Sequence, residues 1–139
     1  MNLASAPIKF SVAWGSSAGA GYITTPIPVP SQIGVTPGRA SFTTGFVPLN
    51  FTAIAAGGVP AWGADLNGIL NMISLSLQWQ EAGGPIIFDS AYATAVGGYP
   101  QGAVVMKQTL NGFWQSTTDS NTNNPDLGGA NWVDLASTL

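Results

Sequence analysis

Asp119, Asp126 and Asp134 fall close together near the end of the chain. Two carboxylates are the minimum for glycoside hydrolysis, one as acid and one as base or nucleophile. They are also the only catalytic groups the composition leaves. The 139 residues include no histidine and no cysteine. That removes Ser-His and Cys-His nucleophiles, the usual zinc sites, disulfides and thiol redox chemistry. All three aspartates sit in or beside a polar loop, where Asp ordinarily serves a turn. The reading is therefore a chain that is not an enzyme and carries no cofactor. Asp119-Ser-Asn121-Thr-Asn123 opens like a calcium loop, but its sixth position is Asn124 and its twelfth Ala130. The glycine and glutamate that an EF-hand needs there are absent, so no metal site is expected. Tyr99, Trp114 and Trp132, with Tyr92 nearby, are candidate glycan contacts, because flat aromatic faces stack on sugar rings. The alternative is that they form the core of a small β module. Asn50-Phe-Thr52 fits a glycosylation sequon, which means little without a secretory signal.

Charge narrows the classes further. Hydrophobic residues make up 45% of the chain, enough for a core, but charged residues only 6%, against roughly 25% in an ordinary soluble domain. Three cations (Lys9, Arg39, Lys107) face six anions. No basic patch exists for phosphate contacts, so nucleic acid is excluded as a partner. No run of 18 or more apolar residues exists, so membrane insertion is not expected. The first ten residues lack the pattern of a signal peptide. A chain solvated by Ser, Thr, Asn, Gln and Gly rather than by charge reads as part of an assembly.

The elements that position these residues fall into three stretches. Residues 1–60 hold seven of the ten prolines. Pro26, Pro28 and Pro30 alternate with β-branched residues, so that segment is extended or polyproline-like, at best an edge strand. Residues 8–14, 41–46 and 49–54 are candidate short strands. This stretch is either a loop-rich β subdomain or an arm that docks on neighbouring subunits. Residues 61–84 carry the one convincing helix, about 64–81. Asp65 is a candidate N-cap or first-turn acid, and Gly83-Gly84-Pro85 forms the stop. Leu66, Leu70, Ile73 and Leu77 are spaced 4-3-4, like a coiled-coil seam. Met72, Leu75 and Trp79 make a second stripe. Two stripes suit contact with the chain's own domain and with another copy; a helix buried all round in a monomer is the alternative. Gly68 sits where a small residue allows close backbone approach. Residues 85–139 read as a small antiparallel β module, with a hairpin predicted at Asn111-Gly112 through a type I′ turn and a last strand at 132–135. The fold class expected is mainly β with one central α-helix and an extended Pro/Gly-rich N-terminal arm.

These pieces carry a resemblance. Tyr22-Ile-Thr-Thr-Pro-Ile-Pro-Val-Pro-Ser-Gln-Ile-Gly34, Phe46-Val-Pro-Leu-Asn-Phe51, Asp65-Leu-Asn-Gly-Ile-Leu70, Gln78-Trp-Gln-Glu-Ala-Gly83 and Gly97-Gly-Tyr-Pro-Gln-Gly102 occur in this order. The series resembles the N-terminal region of tailed-bacteriophage tail fibre proteins over residues 20–135. Within it, residues 92–135 are similar to a small chitin-binding module (family 5/12 carbohydrate-binding) of chitinases and phage fibres. The matching positions are Tyr99, Gly102, Val105, Gly112, Trp114, Ser116, Pro125 and Trp132; the family usually has tyrosine at 114 and alanine at 116. The resemblance implies a structural virion protein of the tail, a homotrimeric fibre or fibre-base subunit that helps mediate host adsorption. Leu66, Leu70, Ile73 and Leu77 would then form the trimer interface, and Pro26, Pro28 and Pro30 the tail anchor. The implied partners are baseplate or adaptor proteins and a further fibre or receptor-binding protein, because such fibres usually continue into a shaft and tip. The alternative implied by the second similarity is a module that binds a bacterial surface glycan.

Overall fold

The computed structural model describes residues 2–135; residue 1 and residues 136–139, the outermost positions of the expected arm and β module, lie outside the described residues. The chain divides into two compact units, Met1–Gly83 and Gly84–Leu139.

The first unit is built around one helix, α1, Gly63–Glu81. Among the described residues, 2–60 contribute no strand to it. This corrects the expectation of a mainly β chain: 29% of the structure is helical and 11% is strand. Proline is the physical reason, since each one removes a ladder donor. At the Pro26–Pro30 segment only carbonyls are used: Phe42 N donates to Pro28 O at 2.9 Å and Thr43 N to Val29 O at 3.1 Å. The candidate strand at 41–46 reduces to a tight turn closed by reciprocal bonds between Ser41 and Gly45. The one at 49–54 is replaced by 3-10 turns, Pro48–Phe51 and Ile54–Ala56. Residues 8–14 are not a strand either, and their backbone partners are side chains of α1 (below).

The core of this unit is thin and, among the described residues, has no aromatic or leucine in it. Ala13, Ile27, Ala40 and Val47 are buried, together with Ser41, Asp65 and Ser74. Close approach replaces bulk. A Cβ on Gly68, in the middle of α1, would stand 2.1 Å from Thr24 O and 2.9 Å from Ile27 Cδ1. The segment before Pro26 therefore crosses directly over the helix backbone, as the small residue at 68 suggested.

The second unit holds a three-stranded antiparallel sheet in the order β1 (Val104–Met106), β2 (Phe113–Ser116), β3 (Trp132–Asp134). Val105 faces Trp114, and Gln115 faces Val133. The small β module is compatible with the sequence reading, but it also contains a second helix the sequence reading lacked: α2, Ser90–Val96. Asp89 caps it by accepting from Tyr92 N at 2.9 Å. Gly97 ends it in the left-handed conformation. Both are standard boundary signals, set around an alanine-rich stretch.

The hairpin between β1 and β2 forms, but not through a type I′ turn at Asn111-Gly112. Its loop is wider. Lys107 N donates to Gly112 O at 2.9 Å and Leu110 N to Lys107 O at 2.8 Å, with Leu110 the residue at positive φ. The backbone of Lys107 pairs across to Gly112, and the turn is closed inside that pair by Leu110 in the left-handed region rather than by Asn111-Gly112. The core comprises Phe88, Ala93, Tyr99 and Val105, with Ala103, Trp114 and Trp132 packed on it. Asn121 is buried beside them with every side-chain group used. It donates to Ser116 Oγ and Asn131 O, and accepts from Asn123 N. Its backbone pairs with that of Tyr99. Gly98 makes this possible: it has φ 98°, and a Cβ there would meet Ser120 C at 2.2 Å.

Gly68 offers a test in which two effects oppose. Glycine to alanine inside a helix ordinarily stabilises by about 1 kcal/mol. Here the new methyl meets a backbone oxygen, and overpacking costs about 1–3 kcal/mol. Gly68→Ala is expected to destabilise the first unit by about 1–2 kcal/mol net, measured by chemical denaturation. A gain in stability would show that Thr24 does not cross the helix there.

Candidate assembly surface

Helix α1 is inside out. Asn67, Asn71, Ser74, Gln78 and Glu81 are spaced 4-3-4-3, so they share one face, and that polar face is the one turned inward. It holds the strand-less, turn-rich segment of residues 9–22 at Phe10, Trp14 and Tyr22. Gln78 Nε2 donates to Phe10 O at 2.7 Å, and Phe10 N donates to Glu81 Oε2 at 2.8 Å. Asn71 Nδ2 donates to Trp14 O at 2.7 Å, and Trp14 N donates to Ser74 Oγ at 2.8 Å. Asn67 Nδ2 reaches Tyr22 O at 2.8 Å, while its Oδ1 accepts from the Trp14 indole at 2.9 Å. Side chains thus do for this segment what a neighbouring strand would do. Sequence reasoning followed the apolar spacing and missed this stripe, although its heptad-like period was equally visible.

Asp65 fastens the other end. Its carboxylate is 1% exposed. Oδ1 accepts from Thr24 Oγ1 at 2.7 Å, and Oδ2 from Ala40 N at 2.8 Å. Arg39 Nε stands 3.8 Å away, and the Arg39 guanidinium lies 5.3 Å from the centre of the Trp62 ring. Trp62 is the N-cap residue and caps no backbone amide with its side chain. Asp65 is thus a first-turn acid that ties the helix to two loops, not an N-cap.

The apolar residues of α1 are left pointing out. Leu66, Ile73 and Leu77 are 45%, 50% and 37% exposed, with Leu70 half-buried. The second stripe, Met72, Leu75 and Trp79, is exposed too. The expectation that one stripe meets the chain's own domain is corrected: the domain takes the polar face. Between Asp65 and Glu81 the helix carries no charge at all. In the proline segment Ile27 is buried and Pro28 half-buried, while Pro26 and Pro30 are exposed.

The candidate glycan residues belong to the core of the second unit. Tyr99 is buried, with its ring centre 5.2 Å from Phe88 and 5.8 Å from Trp132. Its hydroxyl accepts from Asp89 N at 3.2 Å. Phe88 and Trp132 meet edge to face at 90°, a preferred aromatic geometry. The Trp132 indole donates to Asn123 O at 2.7 Å. Trp114 donates to Asp126 Oδ1 at 2.9 Å, and the Lys107 ammonium covers its ring face at 4.6 Å. These rings hold the module together, and Tyr99 has no free face to stack on a sugar.

The three aspartates are engaged separately. Asp119 accepts from Gln101 N, Asp126 from Gln108 N and Trp114, and Asp134 pairs with Lys107. Among the described residues no group of three or more acidic, histidine or cysteine side chains gathers to hold a metal. Among the described residues, no helix is long and apolar enough to cross a membrane. No protein-family model matches the sequence, and no curated protein matches it.

Removing the Asp65 carboxylate orphans Thr24 Oγ1, Ala40 N and the Arg39 charge together. Breaking a buried pair on one side costs about 3–5 kcal/mol. The lower end applies here, because 29% of the Arg39 side chain remains exposed to water. Asp65→Ala is expected to lower the denaturation midpoint of the first unit accordingly. A loss below about 1 kcal/mol, the scale of a surface ion pair, would mean that the carboxylate does not organise these loops.

Proposed function

We propose that this chain is a structural virion protein, a tail-fibre or fibre-base subunit of a tailed bacteriophage. It assembles as a homotrimer about α1 and helps mediate host adsorption. The observation that carries the reading is the inverted helix. An uncharged apolar surface along several turns of α1 is not used by its own unit. Soluble monomers rarely leave contiguous apolar patches of this kind exposed, and large ones mark contact sites. Leu66, Leu70, Ile73 and Leu77 supply a heptad-spaced seam for such a contact. The ordered similarity to tail-fibre N-terminal regions supports the same assignment and supplies the virion context. The exposed rim of the proline segment, Pro26, Val29 and Pro30, is the contact proposed for a baseplate or adaptor protein. The second unit, with Phe88, Tyr99, Trp114 and Trp132 packed in or on its core, either presents outward or receives the next protein of the fibre.

Light scattering on the purified chain is expected to return three times the chain mass at micromolar concentration; a clean monomer overturns the reading. Ile73→Asp separates assembly from folding, because Ile73 is half exposed within its own unit and the polar face is untouched. The variant is expected to retain its helical circular dichroism and run as a monomer, since a lone charge in a desolvated seam costs several kcal/mol. A stable Ile73→Asp trimer would place the interface elsewhere.

A further inference from the structure

A groove runs beside α1, and its far wall is not helical. Two hollows adjoin there, of about 230 Å³ and 320 Å³. The first lies between the 41–45 turn and the start of α1, lined by Ile27, Ala40, Phe42, Phe46 and Ile69 among others. The second continues along the helix over Ile69, Met72, Ile73, Ser76 and Leu77. Phe42 and Ile69 line both. Phe42, on the turn, is 48% exposed. The only charged residue lining either hollow is Asp65, which is buried and already bonded.

We propose that this groove receives the α1 seam of a second copy, so that each subunit's helix is clasped between the helix and the 41–45 turn of its neighbour. The proposal rests on the trimer reading above and specifies its geometry. Length is the first argument. The seam from Leu66 to Leu77 covers only about two heptads, fewer than the three or four that mark a coiled coil in a sequence. A seam that short buries little area by itself, and the groove beside it adds apolar surface to the contact. Fit is the second argument. The seam and the groove both extend along the helix from about residue 65 to residue 77. At 1.5 Å per residue, each is roughly 17 Å long. Composition is the third. Both surfaces are apolar and free of unpaired charge, so mutual burial strands no ion.

The arrangement is heterologous. At 100° per residue the seam is centred roughly 80° around the helix from the groove. The two surfaces share Ile73 and Leu77 along one edge, so these side chains touch both neighbours, while Leu66 and Leu70 face one and Phe42, Ile69 and Met72 the other, an arrangement that closes into a ring when the rotation fits.

The chain has no cysteine, which makes cross-linking clean. Phe42→Cys and Leu70→Cys chains, each carrying a single thiol, are co-expressed and oxidised. Disulfides form only where Cα atoms come within about 7 Å. The proposal expects the mixed dimer of the two variants on a non-reducing gel, in excess over dimers of either variant alone. Phe42-to-Phe42 cross-links in excess would overturn it, as would an intact trimer with no mixed product. In parallel, Phe42→Glu is expected to weaken assembly at least 30-fold by light scattering, as loss of a central anchor does, while the helical signal stays. A Phe42→Glu protein that remains trimeric refutes the clasp and leaves the seam reading standing. A monomeric wild-type chain refutes both.

Discussion

The first unit depends on side-chain hydrogen bonds between α1 and loop backbone as much as on apolar burial. Five side chains on one face of α1 bond the backbone of Phe10, Trp14 and Tyr22, mostly near the surface, and the buried Asp65 carboxylate satisfies Thr24 and Ala40. Each such bond is worth about 1 kcal/mol net, but a buried amide or carbonyl left without one costs about 1–3 kcal/mol. A proline- and glycine-rich segment cannot meet that requirement with a ladder of its own. The helix meets it instead, and in doing so must turn its polar face inward. The outward display of Leu66, Ile73, Leu75 and Trp79 follows from that geometry. It is not a separate feature added for assembly.

The second unit solves the same problem in the ordinary way. Its sheet supplies backbone partners, its aromatic rings form the core, and one buried asparagine closes the remaining loop. Asn121 is the counterpart of Asp65, a fully buried polar side chain with its bonds satisfied, but Asn121 closes its own loop onto residues 116, 123 and 131, whereas Asp65 ties together segments 25 and 41 residues away. The two differ in what they leave over. Around Asn121 the large residues Phe88, Tyr99 and Trp132 turn inward. Around Asp65 the inward residues are mostly alanine, glycine and serine, with Ile27 and Val47 the larger exceptions, and the aromatic rings and most leucines face water.

What could be read from the sequence follows from how local each signal is. The bounds of α1, the strand pairs around residues 104–116 and the last strand are set by nearby glycines, prolines and alternation, and they were legible. Helix α2 was equally local. Asp89 and Gly97 mark its ends, but seven residues give too short a period to stand out against flanking β signals. The width of the 107–112 loop was not legible, because the left-handed position falls on Leu110, a residue type that rarely takes it, and not on the Asn-Gly pair beside it. The orientation of α1 was the least legible of all. Apolar residues at 66, 70, 73 and 77 argue for an inward face in an isolated chain. Only the backbone of residues 9–22, lacking any strand to pair with, shows why the stripe at 67, 71, 74, 78 and 81 goes inward instead.

Charge completes this picture of the surface. The chain has three cations, and each is engaged inside its own unit. Lys9 donates to Glu81 O, Arg39 stands against Asp65, and Lys107 pairs with Asp134. None is left over to steer a partner or to keep copies apart. Like charges brought together at an interface oppose contact, and interspersed charge is how soluble monomers avoid one another. Here the cations are spent on internal bonds while the apolar residues of α1 stand uncovered. Nothing ionic on that face resists the approach of an identical one. Its recognition must rest on shape, on the spacing of Leu66, Ile73 and Leu77 and the hollow beside Phe42, because electrostatics there distinguishes nothing.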